Sequence, residues 1–264
     1  MSAARASVSP GPPLPVIAMG AGAGTSAIFL HGFGGAALSW DAIQPVIAAD
    51  RPTLAFDLPG HGAAQDFPGF GPPKLAARAV IAELDRHAIV SAHLVGHSMG
   101  GAIAALVALF APARVASLTL LAPGGFGPEI GASALDRIVR ARSDAEMRDG
   151  LIGLGRAGWQ PDETVLALHR RVRASQSAEA LAAIFALLFR GGVQGSLPLD
   201  AVAATGVPVR LIWGREDRIT PFAQSGGVPA GFSLSALADA GHMLMDEAPG
   251  DVIAEIRQAI ERVE

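Results

Sequence analysis

Short apolar runs, alternating with glycine-rich turns and longer helix-like stretches, constrain this chain more than any other feature. Ala27–Leu30, Thr53–Phe56, 93–95 and 118–121 are short and nearly continuously apolar. Such runs read as strands buried on both faces, the place a strand takes in a parallel sheet layered between helices. Between them, 74–88 and Met99–Phe110 carry apolar residues at helical spacing, and Pro112 stands just beyond the second as a stop. The alternation resumes at 207–213 and 233–237. Residues 249–263 then close the chain with an amphipathic helix whose apolar face holds Val252, Ile256, Ile260 and Val263. The pattern predicts an α/β fold built on a mostly parallel, doubly wound sheet.

Residues 129–199 break the alternation. They hold no convincing strand but three helix starts: Ser133 ahead of a periodic run, a capping box from Ser143 to Glu146, and Pro161-Asp162-Glu163 as a first turn. The expected organisation is a core made of 1–128 and 200–264, with a helical insertion over 129–199 covering the active site. Arginines and acidic residues nearly balance within the insertion, so its charges read as a solvated outer face.

Composition removes whole classes of function. The chain is 50% apolar and only 17% charged, which excludes a disordered protein. A net charge of −4 from 20 basic and 24 acidic residues is too balanced for a polyanion-binding surface, so no nucleic-acid partner is expected. The absence of cysteine removes disulfides, thiol nucleophiles and thiolate metal sites together. Mean hydropathy is high, at +0.39. Even so, the longest apolar stretches, 102–110 and 180–189, fall well short of the roughly 20 residues a membrane-spanning helix needs. Residues 2–15 carry several prolines and no apolar core of the kind a secretory signal has. A cytoplasmic protein with no membrane partner is therefore expected. The 32 glycines and 19 prolines imply many tight turns and argue against a helical bundle.

The strongest chemical signal is Gly96-His97-Ser98-Met99-Gly100-Gly101, which contains G-x-S-x-G between an apolar strand and a helix. A serine at that junction sits on a strained turn with its hydroxyl lifted clear of the sheet. Gly96 and Gly100 are required because a Cβ at either would collide as strand and helix close. The helix N-terminus beneath Ser98 favours negative charge developing in the reaction. A serine hydroxyl needs a base, and the base an orienting acid. Of seven histidines, His242 alone lies in a loop after the last strand and ahead of the final helix. His87 and His169 read as surface residues on helices, and His93 as a packed residue opening the elbow strand. For the acid, Asp217 follows the strand 207–213, with Glu216 its nearest rival. His31-Gly32-Phe33-Gly34-Gly35 can bend so that a backbone N–H points at a reacting carbonyl oxygen, which makes the Phe33 and Met99 amides the candidate oxyanion hole. The phosphate-binding patterns G-x-x-x-x-G-K-[ST] and G-x-G-x-x-G with its acidic partner are absent.

Five segments in order resemble the α/β-hydrolase family. They are His31-Gly32-Phe33-Gly34-Gly35, Asp57-Leu58-Pro59-Gly60-His61-Gly62, the elbow at Ser98, Trp213-Gly214-x-x-Asp217 and Gly241-His242. The chain order Ser, Asp, His is also that family's. The resemblance implies the α/β-hydrolase fold, with a helical cap over 129–199 inserted after the sixth strand. It makes the loop from Asp57 to Gly62 structural. Phe126-Gly127-Pro128-Glu129-Ile130 is similar to the hydrolase-like domain of acetoin dehydrogenase acyltransferase components. Those carry a lipoyl domain ahead of it, for which this length leaves no room, so lipoyl-dependent transfer is not expected. Ser98 stands where dehalogenases and epoxide hydrolases carry Asp, and Met243 where carbon–carbon bond hydrolases carry Trp. Cofactor-free haloperoxidases of the esterase type match better through Phe33 and Met99.

The resulting expectation is a serine esterase acting on a small-molecule ester or related acyl substrate through Ser98, His242 and Asp217. No metal or organic cofactor is implied. Trp159, Phe185 and Phe189 of the cap are candidates for an acyl pocket, with packing inside the cap as their alternative. An acyltransferase using the same triad with an alcohol or thiol acceptor, and a non-catalytic small-molecule receptor, are the alternative functions.

Overall fold

The computed structural model describes residues 11–264. Residues 2–10 of the proline-rich start, and with them the beginning of the expected 1–128 segment, lie outside the described residues. The described chain forms strands β1 (Val16–Met19), β2 (Ala27–Leu30), β3 (Thr53–Phe56), β4 (Ala92–His97), β5 (Val115–Leu121), β6 (Val209–Gly214) and β7 (Phe232–Leu237). They make one sheet in the order β1-β3-β2-β4-β5-β6-β7. β1 runs antiparallel to β3, and every other pairing is parallel. Every residue of β2, β3 and β4 is buried, which is why these strands are apolar without alternation. The helices outside the insertion are α1 (Gln44–Ile47), α2 (Pro73–Arg86), α3 (Met99–Phe110), α8 (Leu199–Ala203), α9 (Leu244–Glu247) and α10 (Pro249–Glu261). α3 packs on β4 and β5 and against α2; the mainly apolar sequence of α3 suits that doubly covered place.

Strand order determines where a site can form. From β2 the chain goes to β3 on one side, and later to β4 on the other. Connections leaving β2 and β4 therefore diverge at their carboxyl ends and open a crevice, the topological switch point of such sheets. Leu30 pairs with Gly96, so the loop beginning at His31 and the turn at Ser98 emerge side by side.

The insertion carries α4 (Ala132–Arg140), α5 (Asp144–Leu154), α6 (Glu163–Ala174) and α7 (Ala178–Leu188). Ser143 caps α5 in a reciprocal capping box with Glu146, and Asp162 caps α6 by accepting the Val165 N–H at 2.9 Å. The first start differs: Gly131 is the cap of α4, and Ser133 lies inside its first turn. A fourth helix, α7, begins at the Ser177 cap and takes up most of the apolar stretch over 180–189. Leu135, Met147, Leu151, Leu154, Trp159 and Phe189 form a second apolar cluster, closed from below by Ile219 and Met243. The insertion leaves the sheet after its fifth strand among the described residues, not the sixth. β1 forms one edge of the sheet, antiparallel to its neighbour, and Pro12, Pro13 and Pro15 ahead of it have no N–H to donate.

Two glycines hold strand and helix together at the elbow. A Cβ on Gly96 would stand 2.5 Å from the Gly100 carbonyl oxygen, and one on Gly100 would collide with the Leu30 carbonyl. Backbone atoms cannot move aside as a flexible side chain can. Gly100→Ala is expected to lower the unfolding free energy by about 3 kcal/mol or more, read by urea titration against the parent.

Candidate active site

Ser98 adopts φ 52° and ψ −116° between β4 and α3. This is a costly conformation for a residue with a side chain, worth about 1–3 kcal/mol. It is held by the Ser98 N–H donating to the Leu121 carbonyl at 2.9 Å, and by the Ser98 carbonyl accepting from Gly124 at 2.9 Å and Gly101 at 3.0 Å. The neighbouring loop closes over the serine at Gly32, where a Cβ would stand 2.9 Å from His97 Nδ1 and 3.2 Å from Ser98 Cβ. Among the described residues, neither the Phe33 nor the Met99 N–H donates to a protein acceptor. Met99 is the first residue of α3, where amides lack intrahelical partners.

His242 and Asp217 meet on the loops after β7 and β6. His242 Nδ1 donates to Asp217 Oδ2 at 2.9 Å, and both residues are buried. The other oxygen, Oδ1, accepts the Ile219 N–H at 2.8 Å and the Thr220 N–H at 3.0 Å. Thr220 Oγ1 lies 2.9 Å from Oδ2, 3.3 Å from His242 Nδ1 and 3.1 Å from the Ala122 carbonyl. Glu216, the rival acid, points elsewhere and accepts the Ala157 N–H at 3.1 Å. Ser98, His242 and Phe33 line one small cavity of about 60 Å³. Among the described residues the Ser98 hydroxyl makes no protein hydrogen bond. Catalytic contacts of this kind commonly tighten only around a substrate.

A second, larger cavity of about 590 Å³ also reaches Ser98. Met99, Ala102, Leu106 and Leu109 of α3 form one wall, and Phe189 lies on the insertion side. Of the three aromatic residues expected there, Phe189 alone lines it. Phe185 packs beside Phe33 and Phe189, with ring centroids 6.1 and 5.3 Å away, and so backs the wall. Trp159 lines neither cavity. Its indole fills the space left by the missing side chain of Gly155 and joins the insertion's own apolar cluster.

Several residues at the site escaped the sequence reading. The Glu247 carboxylate accepts three backbone N–H groups: Gly241 at 3.0 Å, Met243 at 3.0 Å and Arg156 at 2.9 Å. It thus brackets His242 on both sides and ties its loop to the insertion. The His242 N–H itself donates to the Leu154 carbonyl at the end of α5, at 3.2 Å. His97 donates from Nε2 to the His242 carbonyl at 2.9 Å. His169, expected on the surface, is half-buried in the small cavity and bonded to Asp246 at 3.0 Å. Nothing local distinguishes it, because its partner lies 77 residues away. Among the described residues no group of three or more His, Asp or Glu side chains is placed to hold a metal ion, and no helix is long and apolar enough to cross a membrane.

Three buried histidines stay neutral beneath the site. Burial pushes His31 down to about 4, and His97 and His61 down to about 3, the last two helped by a neighbouring imidazole. Below pH 6.5 the unfolded chain takes up protons here that the folded chain refuses. Stability is therefore full above about pH 6.5 and falls as pH drops toward 4. The expected result is a melting temperature that declines steadily over that interval, with a shallower decline in His61→Gln. Glu247→Gln replaces an accepting oxygen by a donor facing backbone N–H groups. It is expected to cost about 1–3 kcal/mol, measured by denaturant titration.

The family described as "Alpha/beta hydrolase family" matches residues 27–256. The chain is 36% identical over 240 residues to a dihydrolipoyllysine-residue acetyltransferase component of the acetoin cleaving system from Cupriavidus necator, covering 90% of this chain. It spans 64% of that relative's length. It is 30% identical to a 2-hydroxy-6-oxononadienedioate/2-hydroxy-6-oxononatrienedioate hydrolase from Cupriavidus pinatubonensis, over 76% of this chain and 73% of the other. Among solved structures, a meta-cleavage product hydrolase from Pseudomonas fluorescens superposes with a TM-score of 0.79 at 19% identity, covering 94% of each chain.

Proposed function

Because the chain belongs to the alpha/beta hydrolase family, we propose that it is a serine hydrolase cleaving carboxylic esters of small molecules through an acyl-enzyme. One observation carries this reading: a serine in a strained elbow shares a cavity with an imidazole that a buried carboxylate holds at 2.9 Å. Asp217 occupies His242 Nδ1, which leaves Nε2 to act as base. Ser98 Oγ attacks the carbonyl carbon and gives its proton to His242. The Phe33 and Met99 amides hold the oxyanion, each worth about 2.7–4 kcal/mol at the transition state. The ester C–O bond then breaks, His242 returns the proton to the leaving alcohol, and Ser98 stays acylated. A water enters on the same side, loses a proton to His242 and attacks the acyl carbon. The acid leaves and the Ser98 proton is restored.

The two cavities take different halves of the substrate. The leaving alcohol must lie within reach of His242, on the side of the small cavity. The acyl group therefore extends into the apolar cavity along α3, which includes Ser98 and Met99 but not His242. Residues 129–199 are read as a helical cap on a core of 1–128 and 200–264, with a cytoplasmic location. The acetyltransferase relative supports a second reading, in which an alcohol or thiol takes the place of water at the acyl-enzyme. The distribution of products with and without added acceptor separates the two.

Ser98→Ala is expected to fold normally and to lose at least about a thousandfold in kcat on a short activated ester. A fluorophosphonate probe is expected to label the parent and not the variant. Undiminished turnover in Ser98→Ala defeats the mechanism.

A further inference from the structure

The small cavity at Ser98 continues outward into a third cavity of about 420 Å³ within the insertion; the two share Gly34, Ile138, Leu151 and His169. Its wall carries three arginines. Among the described residues only Arg170 of these is in an ion pair, bonded to Asp144 at 2.8 Å and close to Glu163 at 3.6 Å. Arg142 is exposed beside it. Arg173, on the last turn of α6, donates from Nη2 to the Ala141 carbonyl at 3.1 Å, while its Nη1 is buried with no hydrogen-bond partner. A buried donor on a charged group is costly to leave unmade, and such an orphan calls for an acceptor, a water or a bound anion.

The carboxylates near this path are already engaged. Asp144 is held by Arg170, and Asp246, at the inner end, is held by His169 at 3.0 Å. The unanswered charge is therefore positive. A planar guanidinium with an unmade N–H suits an oxygen of a carboxylate or phosphate. The cavity also lies on the side of His242, where the leaving alcohol departs and an acceptor enters.

We propose that Arg173 forms an anion subsite for the alcohol half of the substrate, so that the preferred esters carry a carboxylate or phosphate on the leaving group. This rests on the reading that Ser98 is acylated with the alcohol leaving toward His242. It goes beyond that reading by defining what the alcohol must carry.

Three butyryl esters with two-carbon alcohols test it: those of glycolate, of 2-hydroxyethyl phosphate and of uncharged ethylene glycol. The expected kcat/KM for at least one anionic ester exceeds that for the neutral ester by tenfold to a hundredfold, the range of a charge-assisted hydrogen bond. Which anion is favoured identifies carboxylate or phosphate as the ligand. The preference is expected to collapse to within about twofold in Arg173→Gln and to survive in part in Arg173→Lys, which retains the charge without the fork. Should Arg173→Gln fail to fold, Arg173→Lys still decides, since a preference unchanged in that variant overturns the assignment. Equal rates for all three esters in the parent also overturn it, as does a preference that persists in folded Arg173→Gln. The same esters are titrated calorimetrically into Ser98→Ala, which binds without turning over. Selective binding there, without fluorophosphonate labelling of the parent, removes the serine mechanism and leaves the anion subsite standing. Labelling without selective binding does the reverse.

Discussion

A methyl group on Gly100 would run into the carbonyl of Leu30, and one on Gly96 would run into Gly100. This close approach of helix, elbow and neighbouring strand is the constraint on which the rest of the site depends. With α3 pressed onto the sheet, Ser98 is driven to positive φ and its side chain stands at the carboxyl edge. The loop after β2 comes level with it because Leu30 and Gly96 pair across the switch point. The loop that carries Phe33 and the start of α3 at Met99 then lie next to each other, brought there by the backbone approach alone.

The opposite half of the site is organised by polar contacts. Asp217 is satisfied by two backbone amides, a threonine hydroxyl and the imidazole, so every direction from which it could be drawn away is already occupied. Glu247 performs the same service for the loop carrying His242. A carboxylate that accepts several N–H groups is held in position by them. The arrangement offers His242 a fixed ring orientation on one side and an open nitrogen on the other.

Most of the parallel sheet was legible in the sequence, and the central residues of the candidate site could be singled out there, because their signals are local. A doubly buried strand shows as an apolar run, and an elbow as small residues two positions either side of a serine. Asp217 and His242 were legible from their places after particular strands. Thr220, Glu247 and His169 were not, because each acts through a partner that only the folded chain supplies. Glu247 in particular reads as an ordinary residue near the start of a helix, and the three amides it serves have no sequence signature. The aromatic residues of the insertion show the same limit. Trp159, Phe185 and Phe189 read alike as large aromatic residues of the insertion, and only the folded chain separates them: Trp159 lies between α5 and α6, Phe185 within α7 and Phe189 just past its end.

The insertion's attachment has a kinematic consequence. The end of α5 accepts the His242 N–H at Leu154, gives the Arg156 N–H to Glu247 and the Ala157 N–H to Glu216. Arg218 reaches back to the Gly155 carbonyl at 3.2 Å. Four hydrogen bonds thus join one helix end to the loops that carry His242 and Asp217. A rigid rotation of the whole insertion away from the sheet would strip those loops of their partners at the moment it uncovered Ser98.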